Sequence, residues 1–261
     1  MKKQYIGVFD SGLGGLTTVK QIIEKLPQEN IIFLADTKHI PYGSKTREQI
    51  ISYTLENIDI LKRYDLKALV IACNTSDSNA SDTARKAHDL KIFGVIAPAA
   101  RKAVKTSENK KIGLLATTST IASGRYEKQI HDLDEKAEVF PMACPDLVPM
   151  IEEGAFISDK KAMKEKLHEY IDPLIDKQID TLILGCTHYD ILAELISEIF
   201  PDLRLVSSSR CVIDDLKAFL EDDDDQSEEK TGERIYLASK DAESYDKVAS
   251  LLIPDIRFQS I

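Results

Sequence analysis

Short apolar runs alternate with amphipathic segments along most of the chain. The apolar runs have the length of strands, and the segments between them have helical periodicity. Strands are predicted at 5–11, 30–36, 68–72 and 92–96, and helices at 15–27, 47–65 and 77–89. This alternation predicts a mostly parallel sheet covered by helices on both faces, the α/β class.

The pattern begins again in the second half of the chain. The segment "KIGLLATTST" (111–120) has the form of "YIGVFDSGLG" (5–14), an Ile-Gly strand followed by small polar residues. Ile6 precedes Cys73 by 67 residues, and Ile112 precedes Cys186 by 74. Both cysteines end an apolar run, in "ALVIACNTSD" and "TLILGCTHYD". We interpret this as a weak internal repeat, which predicts two pseudo-symmetric α/β domains with an active site in the cleft between them.

The last part of the chain divides into an acidic run and a patterned tail. The run "EDDDDQSEEK" (221–230) is interpreted as a solvated, mobile loop. The tail at 231–253 predicts one strand and one helix, too few to fold alone. We therefore expect the tail to pack back onto the first domain.

Charge and cysteine content restrict the class of protein. A net charge of −10 argues against nucleic acid and anionic membranes as partners, because both select basic surfaces. No apolar run reaches the roughly 18 residues of a membrane span, and no signal peptide is recognised, so a cytoplasmic location is predicted. The four cysteines, at 73, 144, 186 and 211, form no C-x-x-C pair and are expected to be free thiols.

Cys73 and Cys186 stand where a parallel sheet binds ligands. Each is predicted at the carboxyl end of a strand and just before a helix. The free N–H groups and partial positive charge of a helix N-terminus favour a thiolate, so a lowered cysteine pKa is expected. The same N–H groups bind carboxylates, and Asn74, Thr75 and Thr187 add side-chain donors.

Several kinds of chemistry compete for these thiols. A single cysteine beside an apolar strand is more often a buried small hydrophobe, but two in matching contexts are not explained that way. Cys186 and His188 could bind zinc, although C-x-H is an unusual ligand spacing. A Cys-His hydrolase would need only one thiol. Two thiols facing each other suit a racemase or epimerase that removes a proton from one face of a carbon and returns one to the other.

Two glycine-containing turns add candidate residues. The segment "DSGLGG" (10–15) does not complete the G-x-G-x-x-G fingerprint, and no Walker A motif is present. Asp10 is interpreted either as a carboxylate that orients an ammonium group or a thiol, or as a cap over a glycine turn. The segment "IPYGSK" (40–45) is interpreted as a surface turn, from which Tyr42 and Gly43 could reach the cleft.

Five motifs together resemble one known family. The segments "FDSGLGG", "DTKHIPYG", "ACNT", "LLATTSTIASGRY" and "LGCTHY" occur in the order and spacing of bacterial glutamate racemases, and the resemblance covers nearly the whole chain. It implies a cofactor-independent and metal-free enzyme that racemises glutamate through two thiols, with D-glutamate supplied to peptidoglycan. It also implies a homodimer of two-domain subunits, divided at 1–97 plus 208–261 and 98–207.

The resemblance also implies roles for individual residues. Cys73 and Cys186 match the two acid/base groups, and Asp10, His188 and Glu152 match the polar groups that assist them. The substrate contacts that it implies are Asp10, Ser11, Tyr42, Gly43, Asn74, Thr75, Thr117, Thr120, Thr187 and His188.

Three segments depart from the pattern of that family. Asp190 stands where a proline is usual, "SDSNA" follows "ACNT" in place of small apolar residues, and "SSSR" (207–210) replaces a later "DS" segment. These departures leave aspartate, or another acidic amino acid, as an alternative substrate. A thiol-containing binding or regulatory protein without turnover is the alternative from another class.

Overall fold

The computed structural model describes residues 3–222 and 231–261. Most of the acidic run expected to be a loop, residues 223–230, lies outside the described residues, and Glu221 and Asp222 belong to the preceding helix. Within the described residues no helix has the length and apolar character that crossing a membrane requires.

Eight elements alternate in the first part of the chain, as the sequence predicts. They are β1 (Tyr5–Asp10), α1 (Gly15–Lys25), β2 (Ile31–Ala35), α2 (Arg47–Leu61), β3 (Leu66–Ile71), α3 (Asn74–Ala87), β4 (Ile92–Gly94) and α4 (Ile96–Thr106). A capping box starts α2, in which Thr46 and Gln49 bond to each other's backbone N–H groups. The last predicted strand ends early because Ile96 already begins α4.

The second part of the chain repeats the alternation with shorter helices. It contains β5 (Lys111–Ala116), α5 (Thr118–Ala122), α6 (Arg125–Leu133), β6 (Glu138–Ala143), α7 (Leu147–Glu152), α8 (Ala155–Ser158), α9 (Lys160–Ile175), β7 (Thr181–Gly185), α10 (Ala193–Ile199), β8 (Arg204–Ser207) and α11 (Ser208–Asp222). The tail adds β9 (Arg234–Ala238), α12 (Ala242–Ala249) and β10 (Gln259–Ser260). Single 3-10 segments cover Tyr42–Ser44 and Thr187–Leu192.

The strands form two parallel sheets with the same internal order. The first sheet runs β10-β9-β2-β1-β3-β4 and the second β6-β5-β7-β8. If the tail strands are set aside, the orders 2-1-3-4 and 6-5-7-8 correspond strand for strand. The pseudo-symmetry predicted from the Ile-Gly segments is therefore confirmed. The tail strand β9 pairs with β2 of the first sheet, as expected.

The strand order explains where a ligand can bind. The chain leaves β1 toward one neighbour, β2, and returns to the other neighbour, β3, so the carboxyl ends of β1 and β3 border a topological switch point. The ends of β5 and β7 border the corresponding point in the second sheet. In the first sheet, Asp10 ends β1 and Cys73 lies just after β3. In the second sheet, Thr117 follows β5 and Cys186 follows β7.

The two sheets, each with its helices, form two lobes that share part of their core. We call the part built on the six-stranded sheet the first lobe and the part built on the four-stranded sheet the second lobe. One apolar cluster contains Ile6 and Val8 of β1 together with Ile112 and Leu114 of β5, all fully buried. Helices α4 and α11 pack against each other between the sheets. The predicted domain boundary at 97 falls inside the first turn of α4, and the one at 207 directly precedes α11. Both boundaries stay a prediction.

Candidate active site

A cavity of about 220 Å³ lies between the lobes at the carboxyl ends of the strands. Both cysteines singled out in the sequence line it, Cys73 from the first lobe and Cys186 from the second. The other lining residues are Ser11, Ile40, Pro41, Tyr42, Gly43, Ser44, Asn74, Thr75, Thr117, Thr118, Cys144, Pro145, Val148, Thr187 and His188. The structure thus brings most of the implied substrate contacts to one place, while Asp10, Glu152 and Thr120 lie behind its wall.

On the first lobe, Cys73 is connected to Asp10 through Ser11. The Cys73 thiol donates to Ser11 Oγ at 3.5 Å, and the Ser11 hydroxyl donates to Asp10 Oδ1 at 3.5 Å. Asp10 is fully buried and also accepts the Gly12 N–H at 2.9 Å. Burial raises the pKa of Asp10 to about 6, against the lowering effect of the His188 charge and these hydrogen bonds.

The expected lowering of the Cys73 pKa is wrong for this closed cavity. Cys73 does occupy the N-cap position of α3, as predicted. However, burial and then the negative charge of Asp10 raise the pKa of its thiol to about 12, which outweighs the hydrogen bonds from Ser11 and Ser76. Cys73 is therefore a neutral thiol at neutral pH.

On the second lobe, Cys186 belongs to a chain of three ionisable groups. Its sulfur lies 3.7 Å from His188 Nδ1, and His188 Nε2 lies 2.6 Å from Glu152 Oε1. Burial alone would lower the pKa of His188, but its hydrogen bonds to Cys186 and Glu152 raise that pKa well above the usual value. A positively charged imidazole therefore lies beside the Cys186 sulfur.

The acidic groups of each lobe are bound by the other lobe. Thr187 of the second lobe donates its hydroxyl to Asp10 Oδ2 at 3.0 Å. Leu13 of the first lobe donates its backbone N–H to Glu152 Oε1 at 3.3 Å. Closure of the cleft therefore completes the environment of both acids.

A group of hydroxyls joins the lobes at another wall of the cavity. Thr75 Oγ1 lies 2.9 Å from Thr117 Oγ1 and 3.3 Å from Thr120 Oγ1. Asn74 is fixed by two bonds, to the Ser208 hydroxyl at 3.0 Å and from the Tyr126 hydroxyl at 2.6 Å. These contacts place uncharged hydrogen-bonding groups where an anionic substrate would need them.

The segment interpreted as a surface turn lines the cavity and buries Tyr42, while Pro41 and Ser44 remain exposed. Tyr42 is only 2% exposed, and Gly43 lies so close to Thr117 that an added Cβ would come within 2.9 Å of its Cβ. The Tyr42 hydroxyl donates to Asp36 at 2.5 Å, so the ring lines the cavity while its polar end faces away. Sequence periodicity could not show this, because the turn is held by long-range contacts.

Sequence reasoning missed two residues that shape the site. Asp36 accepts hydrogen bonds from Tyr42, Asn57 and Ser239, and one of its oxygens lies 2.8 Å from His39 Nδ1, which fixes the turn beside the cavity. Cys144 is buried and lines the cavity beside Cys186. Its signal was present, since it follows β6 as Cys73 follows β3.

The zinc alternative finds no third ligand. Within residues 3–222 and 231–261, no group of three or more His, Cys, Asp or Glu side chains could hold a metal ion. Cys186 and His188 are instead joined to each other and to Glu152.

The fold and the site together define a class of protein. Two thiols follow equivalent strands of two similar lobes and reach one closed cavity, the arrangement expected of a two-base isomerase acting at a carbon atom. The chain belongs to the Asp/Glu/Hydantoin racemase family, whose model matches residues 6–216.

Curated relatives and solved structures agree with that family. The glutamate racemase of Sulfurihydrogenibium sp. (strain YO3AOP1) is 40% identical over 257 residues, which cover 98% of this chain and 96% of that protein. The glutamate racemase of Corynebacterium kroppenstedtii is 44% identical over 210 residues, which cover 80% of this chain and 72% of that protein. The structure of a glutamate racemase isoform from Bacillus anthracis superposes with a TM-score of 0.95 at 33% identity. The superposition covers 100% of this chain and 98% of that one. An aspartate racemase from Picrophilus torridus, at 20% identity and a TM-score of 0.55 over 84% and 94%, shares the fold alone.

Proposed function

We propose that the protein interconverts L- and D-glutamate by direct proton transfer at the α-carbon, with Cys73 and Cys186 as the two acid/base groups and no cofactor. The observation that carries this proposal is the equivalence of the two thiols. They follow corresponding strands, β3 and β7, and line the same cavity from the two lobes. Groups on two sides of one carbon can remove and return a proton without any rotation of the substrate.

The surroundings of the two sulfurs differ in charge. The pKa of Cys73 is raised to about 12, so Cys73 holds its proton at neutral pH. The imidazolium of His188 lies 3.7 Å from the Cys186 sulfur. The family resemblance pairs Cys186 with L-glutamate and Cys73 with D-glutamate.

Each proton transfer is assisted from behind the sulfur. When Cys186 takes the α-proton, Cys186 becomes a neutral thiol and the electron pair of the broken C–H bond stays on the substrate. His188 and Glu152 lie behind the sulfur as a hydrogen-bonded pair. When Cys73 gives up its proton to the substrate, Ser11 links the new thiolate to Asp10. A pKa of about 6 lets Asp10 exchange a proton near neutral pH, so Cys73 can be recharged through this link.

Uncharged groups and helix N–H groups hold the two carboxylates. The cavity lining contains the hydroxyls of Ser11, Thr75, Thr117 and Thr187 and the amide of Asn74, but no lysine or arginine. The N-terminal N–H groups of α3 also open into it. Donors aimed at the α-carboxylate stabilise the charge that develops as the α-proton leaves.

The structure favours glutamate over aspartate because the unusual residues lie away from the cavity. Asp77 faces α4, where its carboxylate accepts the Ile96 N–H at 2.8 Å. Neither Asp190 nor Ser76 is among the residues that line the cavity. The relatives that cover nearly all of this chain are named glutamate racemases, and one of them, from Francisella tularensis, was solved with D-glutamate (33% identical, TM-score 0.90, covering 100% and 97%).

We further propose that the reaction supplies D-glutamate for peptidoglycan, as the family resemblance implies. A homodimeric assembly and a cytoplasmic location stay predictions. They affect where the reaction takes place and not its chemistry.

Circular dichroism of the substrate tests the proposed function. Purified protein, treated with a chelator and dialysed, should bring the optical signal of L-glutamate to zero, whereas L-aspartate should change much more slowly. Cys73→Ala and Cys186→Ala should each abolish the change while the far-ultraviolet spectrum of the protein is kept. A rate on aspartate equal to that on glutamate would support the other acidic substrate. Binding of glutamate without any change of signal would support a protein without turnover.

A further inference from the structure

A second, larger cavity adjoins the active-site cavity at the rim of the cleft. Its volume is about 720 Å³, and it shares Gly43, Ser44 and Thr118 with the inner cavity. We call it the vestibule. Its other lining residues are Lys45, Arg47, Ser78, Asn79, Ser81, Asp82, Thr83, Ser119, Ala122, Ser123, Gly124, Arg125 and Lys128. A substrate moving between the inner cavity and the vestibule would pass the three shared residues.

The vestibule concentrates positive charge on an acidic protein. Four of its lining side chains are basic and one, Asp82, is acidic, although the whole chain carries a net charge of −10. Lys45 and Arg47 come from the first lobe, and Arg125 and Lys128 come from the second. The inner cavity itself has no lysine or arginine among its lining residues.

Two of the four cations have structural partners and two do not. Arg125 makes a bidentate pair with Asp82 at 2.7 and 2.8 Å, which joins the lobes at the rim. Lys128 pairs with Asp132 at 2.6 Å, and both residues lie in α6. Among the described residues, neither Lys45 nor Arg47 forms a salt bridge. Arg47 interacts electrostatically with the exposed Glu48 beside it without forming a salt bridge, so both cations can still face a ligand.

Helix stability does not explain the position of Arg47. It is the first residue of α2, where the positive end of the helix dipole disfavours a cation. Thr46 and Gln49 already cap this helix end without it. A cation kept at an unfavourable position beside an open cavity indicates a role toward an anion.

We propose that the vestibule is an outer capture site for dicarboxylate anions, in which Lys45 and Arg47 attract the substrate before it enters the inner cavity. This inference rests on the proposed function, since glutamate carries a net negative charge at neutral pH. An acidic protein repels such a substrate at long range. A local positive field at the entrance offsets that repulsion and raises the rate of productive encounter.

The salt dependence of kcat/KM tests the capture site. Screening lengths fall from about 30 Å at 0.01 M to about 8 Å at 0.15 M salt, so steering should weaken over this range. We expect kcat/KM of the natural chain for L-glutamate to fall about tenfold across it. The double variant Lys45→Gln/Arg47→Gln should have a kcat/KM about fivefold lower at low salt, meet the natural chain at high salt, and keep its kcat.

A matched control removes the same charge elsewhere. Lys105 lies in the last turn of α4, and Lys177 follows the end of α9. Both helix ends lead into strands, which places the two lysines at the edge of the lobe opposite the cavity. Lys105→Gln/Lys177→Gln should behave as the natural chain does, whereas Lys45→Arg/Arg47→Lys should restore the salt dependence lost with glutamine.

The possible results separate this inference from the proposed function. Suppose that the natural chain racemises glutamate, but that kcat/KM of the glutamine variant changes with salt just as kcat/KM of the natural chain does. The inference of a capture site would then be wrong. A loss of kcat in that variant with an unchanged KM would also overturn it, because the two cations would then act on the reaction and not on capture. Absence of racemisation in the natural chain would refute the proposed function itself.

Discussion

Asp10→Asn should stabilise the fold at neutral pH while it slows the reaction. The carboxylate of Asp10 is fully buried, and burial raises its pKa from 3.8 to about 6. A raised pKa means that the folded protein binds this proton more tightly than the unfolded chain does. Stability from Asp10 is therefore greatest below pH 3.8 and is lost as the pH rises through 6.

The size of the effect follows from the two pKa values. Each pH unit between them is worth about 1.4 kcal/mol, so ionised Asp10 costs about 3 kcal/mol at pH 7. Asparagine keeps the shape of the side chain. Its oxygen can still accept the Gly12 N–H, and its amide can donate to Thr187, whose hydroxyl is able to accept. The substitution should therefore remove the cost of the charge without leaving a buried group unpaired.

Urea unfolding at a series of pH values measures this effect. We expect the difference in unfolding free energy, variant minus natural chain, to grow by about 2.5 kcal/mol between pH 4 and pH 7. Asp190→Asn is the matched control, because burial also raises the pKa of Asp190 to about 6, outside the cavity. It should show a change of the same sign but leave racemisation nearly unaffected, whereas Asp10→Asn should slow racemisation about 100-fold.

A difference that stays flat with pH, or that shrinks as the pH rises, would refute this reasoning. Asp10 would then not be a buried acid whose ionisation burial disfavours. Its role beside Cys73 would need another explanation.

Four further changes should separate the groups that serve the site from a glycine outside it. Glu152→Gln should lower the pKa of His188, move the basic limb of the pH–rate profile to lower pH, and reduce kcat by about tenfold. Gly14→Ala would place a Cβ 2.6 Å from His188 Nδ1, so it should reduce kcat/KM strongly at a stability cost of about 1–3 kcal/mol. Gly124→Ala, at φ +61° with open space around it, should cost about 1 kcal/mol and leave activity intact. Tyr42→Phe removes a donor from a buried carboxylate and should lower the unfolding free energy by about 1–3 kcal/mol and raise KM, which calorimetry and steady-state kinetics would show.

Local pattern predicted the fold well because the repeated unit is simple. The sequence shows an Ile-Gly strand at Ile6 and again at Ile112. Each is followed later by an apolar run that leads into a cysteine, Cys73 or Cys186. The structure gives these units the same strand order, 2-1-3-4 and 6-5-7-8. The positions of Cys73 and Cys186 followed from the rule that parallel sheets bind ligands at their carboxyl ends.

The rest of the site depended on contacts between distant parts of the chain. The burial of Tyr42 requires Asp36 and Ser239, which are separated by 203 residues. The raised pKa of Cys73 requires its burial in the cleft and the negative charge of Asp10 behind the cavity wall, and a helix N-terminus alone suggested the opposite shift. Neither feature leaves a local pattern, so periodicity and spacing could not predict them.

Early isotope labelling tests the two-thiol mechanism most directly. L-glutamate is converted in heavy water to low conversion, the enantiomers are separated, and deuterium in each is measured by mass spectrometry. If Cys186 takes the proton and Cys73 delivers another that has exchanged with solvent, the D-glutamate should carry deuterium from its first appearance while the remaining L-glutamate stays largely unlabelled. Equal early labelling of both enantiomers would contradict separate roles for Cys73 and Cys186 and would indicate a single shared base.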